Sequence, residues 1–307
     1  MRFSLRQIKY FAATAEMGQI SRAAVELSVS QSAVTISIRD LEEGLGYKLF
    51  VRQSHGMELT DNGRHFLTRA YAILTAVDDA RNMPQQIAPV SGELTLAATY
   101  TVMGYFLPDH LQRLSLLYPA LRIRMLELDR ETIESGLLAQ NYDMAMLLTS
   151  NVRNPAIQTE TLFSSQRRLW VSPQHRFAAK QQVSFADIAQ EPFIMLTVDE
   201  AADSALRYWH LHGCEPNVTL NTKSIEAVRS LVANDLGVAI LSDMVYRPWS
   251  LEGKRIETIK PVESIPSMNV GLAWRADASM SPAMTTVRQY FKQRYLDPQN
   301  PHNPSHR

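Results

Sequence analysis

Residues 20–35 read Ile-Ser-Arg-Ala-Ala-Val-Glu-Leu-Ser-Val-Ser-Gln-Ser-Ala-Val-Thr, and their reading decides the fold. Ala23, Ala24 and Leu27 share the inner side of a short helix over 20–27. Ser28-Val29-Ser30 interrupts it, and Ser30 can cap a further helix over about 31–44. The buried stripe of that helix is Val34, Ile38, Leu41 and Leu45. Upstream, Ser4 can cap a first helix with Leu5, Ile8, Phe11, Ala12 and Ala15 turned inward and Gly18 as its stop. Downstream, Phe50-Val51 and Met57-Glu58-Leu59 flank a Ser54-His55-Gly56 turn, the signature of a small hairpin. Opposite the buried stripe of the third helix lie Ser32, Thr35, Arg39 and Glu42, with Gln31 in its first turn. Short hydroxyls and an amide at an exposed N-terminal turn suit a helix that enters a DNA major groove. The same residue types also serve as plain caps and surface groups; the three-helix setting with its hairpin favours DNA.

Reading outward, a helix from Thr60 to about Met83 is stopped by Pro84. Phe66, Leu67, Ala70, Ile73, Leu74, Val77 and Ala80 recur along it at about 3.5 residues, a narrow seam that needs a partner. Packing on its own domain is one reading; a dimer seam is favoured, because the segment lies between domains. Residues 84–92 read as a linker. Beyond them, strands at 93–98, 121–128 and 143–148 alternate with helices at 107–117 and 132–139, which implies a parallel sheet. A second set follows, with strands at 162–171, 193–196, 218–222 and 238–241 and helices at 184–188, 201–212 and 225–234. A strand at 268–273 and a helix at 281–294 close the pattern. Two α/β lobes with a late chain return imply a cleft between them. Residues 297–307, rich in Pro and Asn, read as a disordered tail.

The chain has 307 residues, 45% hydrophobic and 20% charged, which excludes disorder for the bulk of it. Its 31 Lys and Arg balance 31 Asp and Glu, so a uniformly basic nucleic-acid or membrane binder is excluded. Splitting the charge changes little: residues 1–92 hold ten basic and nine acidic side chains. Any DNA binding must therefore rest on a few placed groups. Cys214 stands alone, so a reducing compartment is expected, and no apolar run approaches membrane-spanning length. With no secretory signal at the start, a cytoplasmic protein is expected. His210 and Cys214 are four apart at a helix end, a possible metal pair, but no second cluster completes a shell; neither metal nor cofactor is expected. No G-x-S-x-G, G-x-x-x-x-G-K-[ST] or H-E-x-x-H pattern is present, and no catalytic constellation is expected.

Residues 20–35, together with Ile38, Leu41-Glu42, Leu45-Gly46, Leu49-Phe50, Arg52, Leu59-Thr60 and Gly63, resemble the winged helix-turn-helix of LysR-type transcriptional regulators. The likeness extends through residues 92–96, Leu107-Pro108, Tyr118-Pro119 and residues 142–145, and through residues 231–233 and 236–239. It implies an all-α winged helix-turn-helix over 1–59 and a linker and dimerisation helix over 60–88. An α/β two-lobed effector domain follows, with lobe one at 89–161 and 268–296 and lobe two at 162–267. It also implies double-stranded promoter DNA, a small-molecule effector, a dimer or tetramer of the chain, and RNA polymerase as partners. By resemblance Gln31, Ser32 and Thr35 face the major groove, with Arg39 on the same stripe. Arg52 in the wing reaches the minor groove or phosphates, and Ser21, Ser30 and Thr60 are phosphate or cap positions. Thr35 stands where Ser is usual and Ile36 where a polar residue is commoner; Ile36 suits a thymine methyl or local packing equally. Ser242 stands where the family often has Pro.

For the effector, ligands of open α/β sheets sit at the carboxyl ends of strands beside helix starts. Thr99, Tyr100, Thr101, Thr149, Thr197, Thr222 and Ser224 occupy such positions, and their hydroxyls suit a small carboxylate. Tyr100 is bulky enough to select an aromatic or aliphatic body. Arg130 can pair an anion, though an exposed arginine is the simpler reading. Each hydroxyl is equally readable as a helix cap. An α/β enzyme or a solute-binding module carrying a DNA-binding appendage is the alternative.

Overall fold

The computed structural model describes residues 3–53, 56–81, 90–180 and 182–296. The chain divides into two compact units, Met1–Gln86 and Ile87–Arg307. In the first, α1 (Leu5–Met17) starts with a reciprocal capping box between Ser4 and Gln7 and ends at Gly18 with φ +65°. A turn through Ser28, left-handed at φ +53°, joins α2 (Ile20–Glu26) to α3 (Gln31–Leu45), and the Val29 amide closes it on the Ala24 carbonyl at 2.9 Å. Ile8, Phe11, Ala23, Val34, Ile38, Leu41 and Leu49 form the core between the helices. β1 (Phe50–Gln53) and β2 (Gly56–Leu59) pair antiparallel as the expected wing. Of its turn, Ser54 and His55 lie outside the described residues. The Met57 amide donates to the Gly18 carbonyl at 2.7 Å and ties the wing to the end of α1.

Two expectations for this unit change. Glu42 is buried at 7% exposure and leaves the outer stripe of α3. Its Oε1 accepts from the Leu49 and Phe50 amides at 2.9 and 3.2 Å, and Oε2 meets Lys48 Nζ at 2.7 Å. The first residues of the wing need acceptors, and this carboxylate supplies them. The seam of α4 (Asp61–Arg81) also divides. Phe66, Leu67 and Ala70 are buried within their own unit, Phe66 edge-on to Phe11 at 5.2 Å. Only Ile73, Leu74 and Val77 stay half-buried. The expected stop at Met83-Pro84 and the side chain of Ala80 lie outside the described residues.

In the second unit, β3 (Gly92–Ala98), β4 (Leu121–Glu127) and β5 (Met144–Leu148) are parallel, as the alternation implies. β6 (Ile157–Ser165) and β12 (Met268–Arg275) join antiparallel, giving the mixed order β4-β3-β5-β12-β6. Helices α5 (Tyr100–Tyr105), α6 (Leu107–Leu117), α7 (Arg130–Leu138) and α11 (Pro282–Tyr295) complete this lobe. The strand expected over 162–171 is two strands: Gln166 separates β6 from β7 (Arg167–Val171), which belongs to the other lobe. The sheet boundary therefore falls at Gln166 and not between 161 and 162. In lobe two, β7 pairs antiparallel with β10 (Ala239–Ser242) and β11 (Glu257–Ile259). β8 (Phe193–Leu196) and β9 (Val218–Thr222) are parallel to each other and reach β10 through a Phe193–Val238 bridge. α8 (Phe185–Ile188), α9 (Ala201–Leu211) and α10 (Ile225–Ala233) cover these strands. Ser242, which replaces an expected Pro, is 2% exposed and bonds Ser165 Oγ at 2.7 Å, so it fastens the crossover between lobes.

Removing the Glu42 carboxylate orphans two buried amides, at about 1–3 kcal/mol for each unsatisfied donor. Glu42→Ala should therefore lower the urea midpoint measured by helical circular dichroism. Glu42→Gln, which keeps an acceptor, should recover most of the loss; equal midpoints for wild type and Glu42→Ala would refute this role.

Candidate functional site

The candidate DNA-reading face lies on α3. Ser30 caps it through the Ala33 amide at 3.2 Å and bonds Ser32 Oγ at 3.0 Å. Gln31, Ser32, Thr35, Ile36 and Arg39 are exposed, while Val34, Ser37 and Ile38 between them are buried. A contiguous outward stripe results, five residues long, polar apart from Ile36. The Thr35 hydroxyl donates to the Gln31 carbonyl at 2.8 Å, which uses its proton and leaves the oxygen as an acceptor. Arg39 meets Asp40 at 3.4 Å and Glu43 at 3.7 Å, both exposed pairs of little strength. Ser21, in the first turn of α2, and Arg52, in β1, are exposed. Thr60 acts as a cap: its hydroxyl accepts from the Gly63 amide at 2.9 Å and donates to the Lys48 carbonyl at 2.8 Å. Gly63 is required there, since a Cβ would stand 2.1 Å from the Leu49 carbonyl oxygen.

Within the second unit, a cleft of about 580 Å³ opens between the lobes. Of the expected residues, Thr99, Tyr100, Arg130 and Thr197 line it. Thr101 borders a smaller cavity of about 40 Å³. Thr149, Thr222 and Ser224 line neither, for local reasons. Thr149 bonds Thr161 at 2.7 Å, Thr222 Oγ1 accepts from the Ser224 amide at 3.1 Å, and Ser224 caps α10 through Ala227 at 3.1 Å. Ser224 is thus a helix cap and Thr222 closes the turn before it, whereas Thr149 is tied to β6.

Asp199 and Glu200 dominate the cleft, and no sequence signal singled them out. Both are left-handed, at φ +47° and +62°. Asp199 reaches from lobe two to the start of α5, accepting from the Tyr100 amide at 3.2 Å, the Thr101 amide at 2.6 Å and the Thr101 hydroxyl at 2.5 Å. Glu200 accepts from Arg130 Nε at 2.5 Å and Asn151 Nδ2 at 2.7 Å. Arg130 is therefore a half-buried bridge and not an exposed cation. Burial works to lower its pKa, but the hydrogen bonds it donates to Glu134 and Glu200, with their negative charge, outweigh that and raise it. Two of the donors expected to take a ligand carboxylate, Thr101 and Arg130, thus hold carboxylates of the chain itself. Asp129 caps α7, and the Thr132 amide followed by the Thr132 hydroxyl holds its pKa below the usual carboxylate range. Tyr105 donates to Glu226 at 2.8 Å, a further bond between the lobes.

Among the described residues, no group of three His, Cys, Asp or Glu side chains is arranged to hold a metal ion. His210 is exposed, while Cys214 packs against the core of lobe two. Among the same residues, no helix is long and apolar enough to cross a membrane.

Two family models match the chain. Residues 5–64 match the "Bacterial regulatory helix-turn-helix protein, lysR family" and residues 88–296 the "LysR substrate binding domain". The RuBisCO operon transcriptional regulator of Allochromatium vinosum is 28% identical over 293 residues, covering 94% of this chain and 96% of that one. The uncharacterized HTH-type transcriptional regulator YybE of Bacillus subtilis is 27% identical, covering 92% and 96%. The crystal structure of HinK, a LysR family transcriptional regulator from Pseudomonas aeruginosa, aligns at TM-score 0.62 and 26% identity over 95% of this chain and 98% of that chain.

The first-turn amides of α5 have no helical acceptor, so their protection depends on Asp199. Losing a charge-assisted bond of about 1.5–3 kcal/mol corresponds to roughly ten- to hundredfold faster exchange. Asp199→Ala should show that increase at Tyr100 and Thr101 by hydrogen–deuterium exchange. Unchanged protection would mean that another group holds these amides.

Proposed function

The chain belongs to the LysR family of transcriptional regulators, which are not enzymes, and from that premise we propose how its own residues carry the function. A dimer reads a promoter dyad with one α3 in the major groove of each half-site. Gln31, Ser32 and Thr35 meet base edges, and Ile36 meets a thymine methyl. Ser21, Ser30, Arg39, Arg52 and Thr60 lie where they serve phosphates or hold the elements that do. The observation that carries this reading is the outward stripe of α3 above a sealed inner face. Ile73, Leu74 and Val77 on the later part of α4 supply the half-buried apolar surface for self-association, and effector domains pair again in a tetramer. A small molecule enters the cleft beside Thr99, Tyr100, Arg130 and Thr197. It changes lobe closure in proportion to its differential affinity for the open and closed forms. RNA polymerase at the same promoter is the partner through which the DNA-bound dimer acts, which places the chain in the cytoplasm.

Gln31→Ala and Thr35→Ala should each weaken specific DNA binding by roughly ten- to a hundredfold, the worth of a good base contact. Arg52→Ala should instead weaken binding to all sequences and reduce the salt slope by about 1. Gel-shift titrations at several salt concentrations separate the two outcomes. Undiminished specific binding in Gln31→Ala and Thr35→Ala would remove α3 from the major groove.

A further inference from the structure

The cleft contains more charge than it has free charge. Five acidic side chains line it against two basic ones. Most of this charge is closed internally: Asp199 on the start of α5, Glu200 on Arg130 and Asn151, Asp129 on Thr132. Glu127, at the end of β4 in lobe one, is exposed and makes no ion pair or hydrogen bond among the described residues. Lys223, between β9 and α10 in lobe two, is likewise exposed and without a partner among them. Between β3 and α5, Thr99 lines the same space at 3% exposure, and its hydroxyl oxygen has no hydrogen-bond partner among the described residues. A buried hydroxyl left bare in a polar cleft marks a position for a ligand atom.

We propose that the cleft selects a small zwitterion, an amino-carboxylic acid, with its ammonium group toward Glu127 on lobe one, its carboxylate toward Lys223 on lobe two, and a polar atom on the Thr99 hydroxyl. The proposal rests on the reading of this cleft as the effector site and names the ligand class it takes. A plain carboxylate would satisfy Lys223 but face Glu127 with no compensating charge, since Arg130 already meets Glu131 at 3.7 Å. A plain amine would leave Lys223 unmatched. A zwitterion satisfies both walls at once, and because the two charges stand on different lobes, it rewards closure of the cleft. Its apolar body finds Leu128, Leu148 and Val198 in the same lining. The volume of about 580 Å³ lies within the range of small-molecule sites.

The test is a thermal-shift titration of the full chain with the standard L-amino acids, each beside the acid that lacks its amine and the amine that lacks its carboxylate. At a hundredfold excess over Kd, one or more amino acids should raise the melting temperature by about 5 °C, and both one-charge analogues by less than about 1 °C. Lys223→Met and Glu127→Gln should each weaken that response at least about tenfold in affinity, with Lys223→Arg restoring part of it. The ligand-free melting temperature of each variant serves as the fold control. A flat panel, or a one-charge analogue as effective as its amino acid, overturns the proposal. Val198→Trp, which fills the cleft, separates this from the reading beneath it. If a one-charge analogue wins and Val198→Trp abolishes its effect, the cleft stands as the site and the zwitterion falls. If a responding ligand is untouched by Val198→Trp, it binds elsewhere and both readings fall.

Discussion

The effector unit depends on the two carboxylates that lobe two extends into lobe one. Asp199 and Glu200 adopt left-handed backbone that non-glycine residues seldom hold, and they hold it because each side chain has charge-assisted bonds across the gap. Bonds of this kind contribute about 1.5–3 kcal/mol when buried and less where water reaches them, as it does here. Two such anchors fall in the range of a typical allosteric coupling, about 1–3 kcal/mol. The lobes are therefore held together without a ligand, though not so strongly that a small molecule could not change the balance. The same anchors cancel Arg130 and the start of α5 as anion receptors. What remains for a ligand is the charge the anchors leave over.

Short elements with strong punctuation were legible in the sequence. Leu107–Leu117, Phe193–Leu196 and Val218–Thr222 form as their patterns indicate, each set off by Pro, Gly or capping residues. The long-range features were not. Asp199 pairs with residues 98 and 99 positions earlier in the chain, and an acid on a loop has no local mark to betray such a partner. The crossing at Gln166 is hidden for a related reason: residues on both sides of it are strand, and only sheet membership changes. Helical period alone turns Glu42 outward; it turns inward because the wing brings two amides without acceptors. The hydroxyl positions show the limit of strand-end reasoning. Thr99 and Thr197 reach the cleft, whereas Thr222 and Ser224 satisfy their own turn and Thr149 bonds Thr161 on β6. Ser and Thr are chosen for caps and for ligands by the same chemistry.

In the DNA-binding unit, one junction orders three elements. Glu42 from α3 holds the start of the wing, while Thr60 and Gly63 pack the start of α4 against Lys48 and Leu49. Recognition helix, wing and long helix thus meet within a few residues, so the stripe on α3 is presented from a rigid base. Phe66, Leu67 and Ala70 belong to that base. They are consumed inside the unit, which shortens the apolar seam left for a second copy to Ile73, Leu74 and Val77 among the described side chains.

That shortening bears on affinity. A chain with no net charge gains little from the general attraction of phosphates. Arg39 is shared with Asp40 and Glu43 through exposed pairs worth about 0–1 kcal/mol, so a phosphate can recruit it at small cost. One head with so few cations binds weakly. A second head tethered to it binds at an effective concentration set by the connection, and affinity then grows steeply without any new contact.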